Sequence, residues 1–159
     1  MDINHLFLKA VEGKELAPHE LDFVLNATSS EDVGLQIKAH SILLFVNDEV
    51  LNSSAVREIE KAVITSENSS DSKVQFALIS ALEYLPEESY KSNQNVRKFA
   101  YSIVKHGNAF CKINAVRVLR RIAPYDPQAM ILLKEAEGDD DAYVREGATS
   151  ALKLLERFK

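Results

Sequence analysis

The chain has 159 residues, 46% apolar and 27% charged, with 5 Gly and 4 Pro, which is one domain's worth of foldable chain and excludes collagen-like, low-complexity and disordered classes. Its net charge of −5 is unevenly laid out: residues 1–90 carry 6 basic and 16 acidic side chains, residues 91–125 carry 8 basic and no acidic ones, and residues 126–159 carry 5 basic and 8 acidic. The middle block is a basic island in an acidic chain.

In chain order, the N-terminus places Asp2 where a signal peptide would be basic, and no apolar run approaches the roughly 18 residues of a membrane span. A cytoplasmic protein is the expectation. Pro18 to Ala27 reads as a first helical segment, with Leu21 and Leu25 on one face. A stripe at helical spacing follows at Leu35, Ala39, Ile42, Leu43 and Val46. The alternation then repeats: a segment over Ala55 to Thr65, and a stripe of Val74, Ala77, Leu78, Ala81, Leu82 and Leu85 ended by Pro86. Next come Val96 to Lys105 and a stripe of Cys111, Ala115, Val118, Leu119 and Ile122 ended by Pro124. Pro127 to Glu137 precedes the last stripe, Val144, Ala148, Ala151, Leu152 and Leu155. Ser29–Asp32, Asn68–Asp71, Gly107–Asn108 and Gly138–Asp141 supply turns or N-caps between paired helices. The stripes begin at 35, 74, 111 and 144, so the repeating unit is helix, turn, helix, and such units must stack to bury their apolar faces.

Pro127 to Phe158, with Leu132-Leu133, Gly138-Asp139-Asp140-Asp141, Val144-Arg145, Ala148 and Ala151-Leu152, resembles a HEAT repeat of the short bacterial type. The resemblance implies an all-α, right-handed α–α superhelix of about four helical hairpins, a single solenoid domain over residues 1–159. It also implies that Asp140 or Asp141 pairs with Arg145 across the turn. The earlier copies depart from the pattern, with Lys112, Gln75 and Gln36 in the arginine register and only Asp71 and Asp32 matching the aspartate. The fold carries no chemistry of its own.

No phosphate-binding glycine loop, nucleophile elbow or two-histidine metal helix is present, and His5, His19, His40 and His106 fall in four separate segments. Asp139-Asp140-Asp141 lacks the alternating ligands of a calcium loop and reads as a helix cap. Cys111 takes the first stripe position of its helix and reads as a small buried hydrophobe; alone, it forms neither an internal disulfide nor a Cys-rich zinc site. The pairs Asp48-Glu49 and Glu87-Glu88 follow helix ends and read as solvated, without the shelter acid–base catalysis needs. The expectation is therefore no enzyme, cofactor or metal.

The basic island comprises Lys91, Arg97, Lys98, Lys105, Lys112, Arg117, Arg120 and Arg121. The core stripe of the second helix leaves Arg117, Arg120 and Arg121 pointing away from the core, and in HEAT-like solenoids second helices line the concave groove. The corresponding positions are His40, Ser41 and Leu44, then Ser80, Glu83 and Tyr84, then Ser150, Lys153 and Leu154. Arg117, Arg120, Arg121, Glu83, Tyr84 and Lys153 are thus the partner-binding residues expected. The competing expectation is that the arginines are solvated and pair with acids such as Glu83 and Glu146. The charge layout suits electrostatic docking to another protein, and size and acidity point to a small bacterial inhibitor or immunity-type protein that covers a toxin or enzyme. The alternative is a nucleic-acid-associated protein with a basic groove like that of HEAT-like DNA glycosylases, though the chain has no Trp.

Overall fold

A computed structural model describes residues 1–157. Phe158, the last residue of the stretch from Pro127 singled out above, and Lys159 lie outside them. The described residues form ten helices and no strand: α1 Ile3–Val11, α2 Pro18–Ala27, α3 Val33–Leu43, α4 Glu49–Thr65, α5 Ser72–Leu82, α6 Glu87–Ser92, α7 Gln94–His106, α8 Ala109–Ile122, α9 Pro127–Ala136 and α10 Ala142–Glu156. Among these residues no helix is long and apolar enough to cross a membrane.

The helix starts are set by short polar side chains. Asp2, Asp32, Asp48, Asp71, Asn93, Asn108, Asp126 and Asp141 each accept a hydrogen bond from a first-turn N–H. Such a cap is worth about 1 kcal/mol. At α2, where Ala17 has no acceptor, Glu20 reaches back and takes the Ala17 N–H at 2.7 Å. Proline stands at the first turn of α2 and α9, where its missing N–H costs nothing.

Two of the four stripes run one turn past the ends of their helices. Val46 and Leu85 lie beyond the ends of α3 and α5, in tight turns where Val46 N–H donates to Leu43 O and Leu85 N–H to Leu82 O. Leu85 still reaches full burial. Two helices have no counterpart in the periodic pattern. One is α1; the other is α6, whose start, Glu87-Glu88, remains exposed as expected. The other acidic pair is exposed too but opens a helix: Asp48 Oδ1 accepts the Leu51 N–H, so α4 begins at Glu49, six residues before Ala55.

α3, α5, α8 and α10 pack each on the next, while α4, α7 and α9 lie behind them, α4 against α3, α5 and α7, and α9 against α7, α8 and α10. α1 and α2 pack on α3 at the N-terminal end. The larger core cluster runs from Ile37 to Ala151 and includes Cys111, Leu119 and Ile122 at 0% exposure. Burying each of the larger aliphatics is worth about 1.5–3 kcal/mol. A smaller cluster joins Leu6, Ala10, Val24 and Ala27 to Ala39, Ile42 and Leu43, so α3 serves both. At Gly107, which joins α7 to α8, an added Cβ would sit 2.7 Å from the Ile103 carbonyl oxygen of α7 and 3.2 Å from the Cys111 Cβ of α8.

The turn before α10 corrects the expected carboxylate pair. Arg145 donates instead to the backbone carbonyls of Asp139 and Asp140, at 2.7 and 2.8 Å, while Asp141 Oδ1 accepts the N–H groups of Tyr143 and Val144. This explains why glutamine serves in the same register elsewhere. Gln36 Nε2 donates to Thr28 O at 3.0 Å and Gln75 Nε2 to Ser69 O at 2.8 Å, each closing the turn before its helix. At these three places the register supplies a long donor to carbonyls of the preceding turn, whereas Lys112 in the same register reaches the Asp139 carboxylate instead.

Candidate interaction groove

The solvent-facing sides of α3, α5 and α8, with α1 across one end, enclose a hollow of about 880 Å³. The helical register builds it row by row. At matching places on successive helices stand Ser41, Ser80 and Arg117, so two small side chains deepen the surface beside one cation, and Ser150 continues the row on α10. One turn toward the N-termini the row is Lys38, Ala77, Asn114 and Gly147. Phe76 is 41% exposed and Phe110 73%; both line the hollow, with Phe7 and Tyr84 at its α1 end. Phe7, Phe45 and Tyr84 pack edge-to-face with ring centroids 5.0–6.2 Å apart, a geometry favoured by the ring quadrupoles. Burial pushes the Tyr84 hydroxyl pKa up, with the Glu83 charge acting in the same direction.

A second hollow of about 430 Å³ lies between α8 and α10, lined by Ile113, Arg120, Tyr143, Glu146, Ser150 and Leu154. Glu83 and Arg117 line both hollows, so the two form one continuous groove. Tyr143 is 71% exposed and occupies the place on α10 that Phe110 occupies on α8, directly before the first stripe residue.

The six expected binding residues separate in space. Arg117 and Glu83 meet in the groove, with Nη1 and Oε2 3.8 Å apart, and Tyr84 lies beside them. Arg120 lines only the second hollow. Arg121 turns away to α6: its Nη2 donates to Leu85 O at 3.3 Å and its guanidinium lies 5.0 Å from the centre of the Tyr90 ring. Lys153 is exposed on α10 outside both linings. His40 also leaves the expected row. It faces a separate hollow between α3 and α4, opposite Glu58, where burial lowers its imidazole pKa and Nδ1 has no hydrogen-bond partner. Ile3, Asn4 and Phe7 of α1, Lys38, Lys73, Phe76 and Phe110 are among the lining residues that the register of α8 alone did not reveal.

Half of the basic island is held in ion pairs in the molecule. Lys91 pairs with Glu87 at 2.5 Å, Arg97 with Asp126 at 3.5 Å, Lys112 with Asp139 at 2.7 Å and Arg117 with Glu83. The acids come from outside residues 91–125: Glu87 stands one turn before Lys91 on α6 itself, and the other three are brought in by neighbouring helix ends and turns. Hydrogen bonding from Lys112 holds the Asp139 carboxyl below the usual aspartate range, helped by the Asp141 N–H. Cys111 is fully buried, and burial pushes its thiol pKa up, away from the reactive thiolate. Among the described residues no group of three His, Cys, Asp or Glu is placed to hold a metal ion, and the four histidines stay apart. Family models, curated proteins and solved structures give no match to the chain.

Proposed function

We propose that the chain is a non-catalytic protein-interaction module, a HEAT-like α-solenoid of about four hairpins that seats part of another protein in the groove over α3, α5, α8 and α10. The solenoid reading is supported by serial packing of these helices and by the repeated turn clamp at Gln36, Gln75 and Arg145. One observation carries the interaction reading. Phe110 and Tyr143 stand at one repeat position on neighbouring helices, more than two thirds exposed, beside a hollow floored by small side chains. Large aromatics held in the open on rigid helices beside a pocket are the residues that become binding hot spots. Blocking a toxic enzyme, in the manner of an immunity protein, is a use this groove would serve; half of the basic island being held in ion pairs favours it over nucleic-acid binding.

Site-specific photo-crosslinking tests the reading. A benzophenone amino acid at Phe110 or Tyr143 should give a discrete covalent adduct with another protein in the source cell, and one at Ile131, on α9, should not. Adducts from position 131 alone would contradict it.

A further inference from the structure

The groove leaves two ammonium groups without carboxylate partners. Lys38 Nζ donates to the neutral Asn4 Oδ1 at 2.6 Å and lies 5.7 Å from the centre of the Phe7 ring. Neither Lys38 nor Lys73 has an acid within 4 Å among the described residues. Burial lowers the Lys38 pKa, with Asp2 opposing at longer range, so this charge is held partly out of water and under-compensated. Such a charge gains most from an anion brought by a partner. The two acids lining the larger hollow are already engaged, Asp32 by the Leu35 N–H at 3.1 Å and Glu83 by Arg117. Between Lys38 on α3 and Arg117 on α8 runs α5, which offers Ala77, Phe76 and the buried, unpartnered hydroxyl of Ser80.

Resting on the groove as the partner-binding face, we infer that its occupant is an extended acidic segment of the partner in which two carboxylates bracket an apolar side chain. One carboxylate meets Lys38, the other meets Arg117 in competition with Glu83, and the apolar side chain sits over Ala77 between Phe76 and Phe110. The spacing follows from the packing. Lys38 and Arg117 lie two interhelical distances apart, roughly 16–20 Å, which an extended chain covers in about five or six residues. Lys73, exposed at the edge of the same hollow, adds attraction without fixing position.

A phage-displayed library of random dodecapeptides, selected on the whole chain, tests this. The enriched peptides should carry Asp or Glu at two positions about five residues apart around an aromatic or branched apolar residue. A resynthesised peptide should lose at least tenfold in affinity on Lys38→Gln, on Arg117→Gln and on amidation of its own two acids, with unchanged circular-dichroism melting of both variants. Enriched peptides without acids that are sensitive to Phe110→Ala but not to Lys38→Gln would overturn the inference and leave the groove as the site. Peptides indifferent to all three substitutions would overturn both, and absence of enrichment would overturn the inference.

Discussion

Arg117 and Arg121 stand one turn apart on α8, yet Arg117 opens into the groove and Arg121 packs on Tyr90. At about 100° per residue, Arg121 is rotated some 40° from Arg117 and Arg120 about 60° the other way, enough to send three neighbouring cations to three surroundings. That the arginines leave the core face was legible in the stripe. Which of them meets Glu83 was not, since it depends on helices more than thirty residues distant. The same holds for Lys112, whose partner Asp139 lies in the turn before α10. Asp139 has a pKa lowered in the fold, so the stability it lends is present above the ordinary aspartate range and lost as pH falls below it. Asp139→Asn should therefore cost about 1–2 kcal/mol at neutral pH, measured by urea unfolding, and progressively less as the pH falls below the ordinary aspartate range. A cost that does not change with pH would contradict the pairing.

At the scale of elements, α2 was legible to the residue because Pro18 marks its first turn and polar residues follow its end. α1 was not: Leu8 and Val11 are exposed apolar residues that blur its stripe, and its burial comes from α3 and the Phe45 and Tyr84 rings. α6 is six residues long, too short to show a period, and its largest buried side chain is Tyr90. Tyr90 is 1% exposed and its hydroxyl donates to Leu82 O at 2.5 Å, at the end of α5. Tyr90→Phe leaves that carbonyl only the longer bond from the Leu85 N–H, at 3.4 Å, which should lower stability by about 0.5–1.5 kcal/mol. Hydrogen exchange should quicken in α6 while groove affinity stays unchanged; an unaltered unfolding midpoint would show the hydrogen bond to be idle.

For the whole molecule, charge arithmetic along the chain located the basic block but not its fate, because stacking sets each inner helix between two others and lets their acids reach it. The same stacking makes the parts interdependent. Removing residues 127–159 uncovers the face of α8 that packs on Leu132, Leu133, Val144 and Ala148, and terminal units in stacked-repeat folds shield their neighbours. A fragment ending at Asp126 should lack a sharp thermal transition; cooperative unfolding of that fragment would show that the last hairpin is dispensable. The groove depends on this assembly, as five helices supply its lining. Its role is tested most directly by the affinity of a crosslinked partner, purified, for two double variants. Phe110→Ala with Tyr143→Ala should weaken binding at least tenfold at an unchanged melting temperature, and Ile64→Ala with Ile131→Ala, exposed on α4 and α9, should leave it as it was. The reverse pattern would place the binding surface elsewhere.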